Sequence, residues 1–544
     1  MAKKQMETAA DLAKSMSQFY ASALTQPAKA MSQSLAASQE MLRSLMGSAS
    51  VQPEKGDKRF RDPVWQSNPA YRALMQSYLA WSNATNAWVD SLEVPERDKL
   101  RAKLATGLAV DALAPTNFLA GNPAAVKATL EQGGKNLLAG LRNLMSDMTS
   151  NGGLPSMVDK SKFEVGGNVG TTPGAVVYAE DHLELIQYAP QTAEVWKTPV
   201  FIVPPQINKF YIWDLAPGRS IVEALVAQGH QVFIVSWRNP TEAESHWTLA
   251  SYVEALDRAT AVACEITGAP DLNVVGACSG GITAALLAAL WGARGVTRAG
   301  SLSLFVAILD VSGAQDTSMG LFASFETLEL ARMFSRSKGV LAGKDLERAF
   351  AWLRPNDLIW AYWVNNYLMG EAPSAFDILY WNADTTNLPA ALHSDLLRLI
   401  ETGGITAESG PTIGGHTLTL KHITCDTYLM GGETDHITPW DGCYLTSAGL
   451  GGPATFVLSQ SGHVQSLINP PGNPKARFLT NDSAHATPDE FLAGAETRAG
   501  SWWPHWHAWL DARGGERIAA PKTLGSHGRR PLGDAPGTYV HAVA

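Results

Sequence analysis

Beyond about residue 175 the chain alternates short apolar runs, rich in β-branched residues, with stretches of helical periodicity. The runs are Val200 to Val203, Gln231 to Trp237, Leu272 to Gly276, Leu304 to Val311, Thr427 to Met430 and Thr455 to Leu458. Each has the length and residue types of a buried strand, and the helices between them let neighbouring strands run parallel, so the pattern predicts an α/β fold with a mostly parallel sheet. Between the fourth and fifth runs the alternation stops. That interval carries Trp352, Trp360, Tyr362, Trp363, Tyr367, Phe376, Tyr380 and Trp381. An aromatic insertion there, at about 315–420, predicts a cap subdomain over the sheet's carboxyl edge and an apolar substrate beneath it.

The first part of the chain has a different texture. Leu12, Met16, Phe19, Tyr20 and Leu24 recur at helical spacing before Pro27, and a weaker stripe runs through Met31, Leu35, Leu42 and Leu45. Two readings fit these stripes: a helix packed on its own domain, or an amphipathic helix meeting a partner or an apolar surface. The polar, turn-rich stretch VQPEKGDKRFR (51–61) reads as a linker. Helical patterns then dominate to about Met148, opened by Asp62-Pro63 and Asn68-Pro69, since proline suits the first helical turn. Glycine-rich sequence at 151–174 marks a boundary. The expected organisation is an N-terminal segment and linker at 1–60, a helical domain at 61–175, and a catalytic α/β domain at 176–544 that contains the cap.

Composition narrows the class. Of 544 residues, 45% are hydrophobic and 17% charged, which supports a large core and excludes disorder over most of the length. A net charge of -9 gives no general attraction to phosphate backbones, so nucleic acid is not an expected partner. The four cysteines, Cys264, Cys278, Cys425 and Cys443, are widely spaced and form neither a disulfide framework nor a zinc pattern, which points to a reducing compartment. MAKKQMETAADLAKS lacks the apolar run of a secretory signal, and no stretch has the roughly 18 apolar residues of a membrane span.

One segment carries chemistry on its face. LNVVGACSGG (272–281) is a buried strand ending in G-A-C-S-G, followed at once by the helix-forming run ITAALLAALWG. Strand, sharp turn and helix are the context of a nucleophile elbow, here with Cys278 where G-x-S-x-G carries serine, and this makes the expected fold an α/β-hydrolase fold. Gly276 and Gly280 leave room for so tight a turn, and the N-terminus of the following helix favours a thiolate. The same fold places an acid after a late strand and a histidine beyond the last one. Asp435, in GGETDHITPW, and His463, in FVLSQSGHVQS, occupy those positions. Asp310, at the exit of the strand after the nucleophile, is an alternative acid, and His436 an alternative base. Ser279, directly after the nucleophile, offers one backbone N–H to an oxyanion hole; Gln206 or Ile207, in VPPQINKF, offers the second.

With these residues placed, the chain resembles the single-subunit polyhydroxyalkanoate synthases, leaning to the medium-chain-length type. The resemblance extends from about Arg59 to the C-terminus and rests on RFRDPVWQSNPAYR, DALAPTNFLAGNP, VPPQINKFYIWDL, SWRNP, GACSGG, LRPNDLIWAYWVNNYLMG, FDILYWNADTTNLP, GGETDHITPW and SGHVQSLINPPGNPKARF. It implies transfer of 3-hydroxyacyl groups from coenzyme A to a growing polyester, with Cys278 carrying the acyl chain, His463 deprotonating Cys278 and Asp435 beside His463; either His463 or Asp435 could activate the incoming hydroxyl. It also implies a homodimer in the cytoplasm at the surface of storage granules. No cofactor is expected, since CoA belongs to the substrate and leaves as product. The nearest alternative is a thioesterase, esterase or polyester depolymerase of the same fold, with water as acceptor.

Overall fold

The computed structural model describes residues 25–311, 325–482 and 487–543, so the stripe from Leu12 to Leu24 lies outside the described residues. The chain forms two compact units, Met1–Lys160 with Leu346–Phe376, and Ser161–Asp345 with Asp377–Ala544.

The first unit is helical. Its longest described helix, Pro69–Ser91, begins where Asn68 accepts from the Ala70 and Tyr71 amides, as the Asn-Pro pair predicts. Its core gathers Phe60, Trp65, Met75, Tyr78 and Leu79. Arg59 ties that core to its surroundings by pairing with Asp57 and Asp111 and donating to Tyr78. The helix Pro27–Leu45 buries only its small residues Ala37 and Ser44. Met31, Leu35, Leu42 and Leu45, the stripe read from sequence, are 59% to 73% exposed.

The aromatic segment 346–376 packs within this unit. Trp363 Nε1 donates to Asn117 O at 3.1 Å, Asn136 Nδ2 to Leu368 O at 2.8 Å, and the Tyr367 hydroxyl to Asp147 at 2.8 Å. Gly140 sits so close that a Cβ would lie 1.9 Å from Tyr367 O. The insertion expected as one cap at 315–420 is therefore divided, with 377–420 remaining in the sheet-containing unit. The boundary between units falls after Lys160 rather than near 175, because the glycine-rich stretch already bonds into the second unit. Gly170 N donates to Asp214 O at 2.8 Å and Thr172 N to the Asp214 carboxylate at 3.0 Å.

The second unit is built on an 11-stranded sheet. In chain order its strands are β1 (Gly174–Ala179), β2 (Leu183–Tyr188), β3 (Val200–Val203), β4 (Val232–Trp237), β5 (Leu272–Ala277), β6 (Ala299–Phe305), β7 (Asp426–Gly432), β8 (Ala454–Ser459), β9 (Arg477–Thr480), β10 (Glu496–Ala499) and β11 (Gly533–Asp534). Across the sheet they run β10, β9, β8, β7, β6, β5, β3, β4, β2, β1, β11. From β4 to β8 every neighbouring pair is parallel, and the flanking strands are antiparallel. The mostly parallel sheet expected from the sequence is thus present, with antiparallel edges that the six apolar runs did not mark.

One strand is displaced from its expected span. The run Leu304 to Val311 is apolar, but the strand is β6, Ala299–Phe305, which contains two buried serines. Ser301 Oγ donates to Asn273 Oδ1 at 2.7 Å, and Ser303 Oγ accepts from Trp506 Nε1 at 3.0 Å, so neither hydroxyl is left unpaired in the core. The strand ends because Val306 adopts φ 44°, which turns the chain out of the sheet.

Phe305 anchors the centre of this core. Its ring lies 4.8 Å from Trp502 and 5.0 Å from Trp506, both edge-on. Replacing it removes a fully buried ring whose neighbours are held by the sheet, so Phe305→Ala is expected to lose about 3–5 kcal/mol of stability in urea titration followed by tryptophan fluorescence. Leu138→Ala, at a position 54% exposed, is expected to change it by no more than about 0.5 kcal/mol.

Candidate active site

Strand β5 is buried along its whole length and stops at Ala277; Cys278 is the first residue of the helix Cys278–Ala293. Between them the backbone reverses within one residue, and Cys278 takes φ 51° to allow it. A non-glycine residue held there costs of order 1–3 kcal/mol, which the surrounding packing must offset. That packing is tight. A Cβ on Gly280 would lie 2.3 Å from Val203 O, and one on Gly276 would lie 2.8 Å from Gly280 O. The elbow glycines are thus required by backbone approach, and the turn leaves the Cys278 side chain partly exposed at the carboxyl edge of the sheet.

Asp435 follows β7, and His463 opens a short helix, His463–Leu467, after β8. The His463 Nδ1 lies 2.7 Å from Asp435 Oδ2, and the Cys278 side chain is near enough to the same ring to help raise its pKa. The structure therefore brings together Cys278, His463 and Asp435. Asp310, the alternative acid, instead forms a β-bridge with Gly404.

The carboxylate is held from several sides. Oδ1 accepts from the Ile437 and Thr438 amides at 2.8 and 3.0 Å, while Oδ2 accepts from the Thr438 hydroxyl at 2.7 Å as well as from His463. The Thr438 oxygen is also 3.0 Å from His463 Nδ1. Thr438 escaped the sequence reading. Its signal was a threonine three residues after an acid, the spacing at which a side-chain carboxylate closes a turn on following amides.

These contacts set the charges. Burial pushes the Asp435 carboxyl up, but the facing imidazolium and the Thr438 donors hold it below the usual carboxylate range. Burial pushes His463 down, yet Asp435 and Cys278 prevail and raise it to about 10. The ring keeps 13% of its exposure while the Asp435 side chain has none, so the pair is largely shielded from solvent.

The oxyanion candidates separate. Gln206 N–H donates to Ser279 Oγ at 3.2 Å, and its side chain donates to Thr283 Oγ1 at 3.1 Å, clamping the loop after β3 to the elbow helix. Among the described residues nothing accepts from the Ile207 N–H. Cys443 was assigned no role from sequence. It is buried near the triad with Sγ 3.7 Å from Thr438 O, and burial pushes its thiol well up.

A nucleophile, a base and an orienting acid in this order and geometry suit acyl transfer. Comparison with known proteins agrees. A family profile described as Poly-beta-hydroxybutyrate polymerase (PhaC) N-terminus matches residues 56–225, and the alpha/beta hydrolase fold profile matches residues 199–470. Poly(3-hydroxyalkanoate) polymerase 1 of Ectopseudomonas oleovorans is 47% identical over 502 residues, covering 92% of this chain and 89% of its own. Poly(3-hydroxyalkanoate) polymerase 2 of the same organism is 46% identical, over 93% of this chain and 90% of its own. Poly(3-hydroxyalkanoate) polymerase subunit PhaC of Cupriavidus necator is 40% identical, over 90% of this chain and 83% of its own. Similarity of that degree along nearly the whole length, on the α/β-hydrolase topology described above, shows that the chain belongs to the poly(3-hydroxyalkanoate) polymerase family of acyl-transferring enzymes.

Proposed function

We propose that the chain polymerises 3-hydroxyacyl-CoA into polyester through a thioester on Cys278. The observation that carries this reading is the Asp435–His463 hydrogen bond beside Cys278, at the elbow of a poly(3-hydroxyalkanoate) polymerase. Cys278 Sγ attacks the thioester carbonyl of the acyl-CoA; the carbonyl oxygen takes negative charge and is met by the Ser279 and Ile207 N–H groups. As the carbonyl re-forms, the CoA sulfur departs and takes a proton from the His463 imidazolium. The hydroxyl of an incoming 3-hydroxyacyl unit then attacks the Cys278 thioester and gives its proton to His463. An ester forms, and the sulfur is free to load again.

His463, rather than Asp435, is the base for that hydroxyl. Support comes from the carboxylate's commitments: both Asp435 oxygens already accept two hydrogen bonds each, and the side chain has no exposure. Sulfur suits the task because one thioester exchanges for another at almost equal free energy, which keeps the acyl group activated for ester formation. CoA enters with the substrate and leaves as product, and the reading requires no other cofactor.

The same reading places the enzyme in the cytoplasm at the surface of polyester granules, as a homodimer. What supports a surface role is the solvent-facing apolar stripe of Met31, Leu35, Leu42 and Leu45. Among the described residues no helix is long and apolar enough to cross a membrane.

Two outcomes test the chemistry. Incubated with a 3-hydroxyacyl-CoA, the wild-type chain is expected to release CoA and deposit insoluble polyester, and Cys278→Ala to lower CoA release at least about a thousandfold. Free hydroxy acid without polymer would indicate a hydrolase instead. The second outcome concerns pH. A histidine raised on folding contributes stability that is fully present below its unfolded value, near 6.5, and is lost as pH rises toward about 10. Asp435→Asn removes the main cause of that rise, so the gap in thermal midpoint between wild type and variant is expected to be widest near pH 6 and to close as pH approaches 10.

A further inference from the structure

Two helices of the sheet-containing unit, Phe325–Lys338 and Ala390–Glu401, are joined by a charge cluster: Arg332 meets both Glu329 and Glu401. One turn farther along the first helix lies Arg336, and three residues before Glu401 lies Arg398. Among the described residues neither of these two guanidiniums meets a carboxylate. Both line a cavity of about 440 Å³, together with Glu242, Ser245, Ser394 and Asp395. Ser394 is only 6% exposed, and its hydroxyl has no hydrogen-bond partner. It stands one helical turn before Arg398, so the two share a face of their helix.

The cavity lies on the same edge of the sheet as Cys278. Ile202 of β3 is level with Ile234 of β4 on one side and Val275 of β5 on the other, so Trp237 and Cys278, each three residues on, are level at their strand ends. Two strand spacings, roughly 10 Å, separate them. The chain leaving β4 then runs directly to Glu242 and Ser245 in the cavity wall. Hydrogen bonds continue the path: Thr386 N donates to Ile207 O at 2.8 Å, Asn387 N to Asn239 Oδ1 at 2.9 Å, and Ala391 N to Ser245 O at 3.0 Å. The wall of the cavity is thus tied through consecutive residues to the loop that carries the oxyanion donor.

We propose that this cavity binds the nucleotide end of the CoA thioester, with Arg336 and Arg398 receiving phosphate oxygens and the Ser394 hydroxyl donating a further hydrogen bond. The inference rests on the acyl-CoA reading above. Unpaired guanidiniums suit phosphate because they donate in a planar fork. Glu242 and Asp395 suit the amino and hydroxyl donors of an adenosine, and a pocket of mixed charge fits a nucleotide better than it fits phosphate alone. The extended pantetheine arm then spans from the cavity to the sulfur at Cys278.

The test compares kcat/KM for a 3-hydroxyacyl-CoA with that for the same acyl group on N-acetylcysteamine, which lacks the nucleotide, in the full-length wild type, Arg336→Ala, Arg398→Ala, the double variant and Arg398→Lys. The ratio of the two values is expected to fall at least about tenfold in the double variant, through KM, with Arg398→Lys losing less than Arg398→Ala. Adenosine 3′,5′-bisphosphate is expected to compete with the CoA substrate in the wild type and to weaken by a similar factor in the double variant, whereas inorganic phosphate competes poorly with either. An unchanged ratio, an equal fall for both substrates, or equal inhibition of wild type and double variant by the bisphosphate overturns the proposal. Failure of the wild type to release thiol from either thioester overturns the polymerase reading beneath it, so the two failures are distinct.

Discussion

The approach of Gly280 to the carbonyls of Val203 and Pro204 is the constraint on which the rest of the site depends. A Cβ at that position would lie 2.3 and 2.5 Å from those oxygens, so the elbow and the loop after β3 fit together only as bare backbone. That closeness has three consequences. It forces Cys278 into a positive φ and lifts its sulfur off the end of β5. It brings Gln206 within reach of Ser279 and Thr283, fixing the loop. And it leaves the next amide, that of Ile207, without an acceptor among the described residues.

The electrostatics are arranged before any substrate arrives. Thr438 gives Asp435 both its amide and its hydroxyl, and the Ile437 amide adds a further donor, so the carboxylate stays ionised although its side chain is fully buried. An ionised acid in that position makes the imidazole a cation and fixes which nitrogen faces the sulfur. The cost of burying these charges is met by hydrogen bonds that need no reorganisation when the acyl group moves. A strained elbow and a buried ion pair are both local departures from the most stable choice. Both sit against strands whose pairing is parallel, buried and rich in large apolar side chains, where such costs are absorbed.

The elbow was legible because its signal is local: a buried strand, two glycines around a cysteine and an immediate helix occupy ten consecutive residues of the sequence. Asp435 and His463 were legible through chain order, since each follows a recognisable apolar run. Features that depend on distant contacts were not. Nothing in VPPQINKF announces that Ser279 will take the Gln206 amide, because the hydroxyl comes from another strand's exit. Strand β6 was misplaced because Ser301 and Ser303 look like surface residues until Asn273 and Trp506 are seen to satisfy them. The segment 346–376 was recognisably aromatic, but its place among the N-terminal helices rests on pairs such as Asn136 with Leu368, more than two hundred residues apart.

The central claim is that the acyl chain is held on the sulfur of Cys278. Rapid acid quenching of the wild-type chain with one equivalent of a 3-hydroxyacyl-CoA, followed by proteolysis and mass spectrometry of the peptides, addresses it most directly. The expected result is one 3-hydroxyacyl adduct, labile to hydroxylamine, on the peptide containing Cys278. An adduct on Cys264, Cys425, Cys443 or Ser279 with Cys278 unmodified, or CoA release with no adduct on any peptide, would contradict the account.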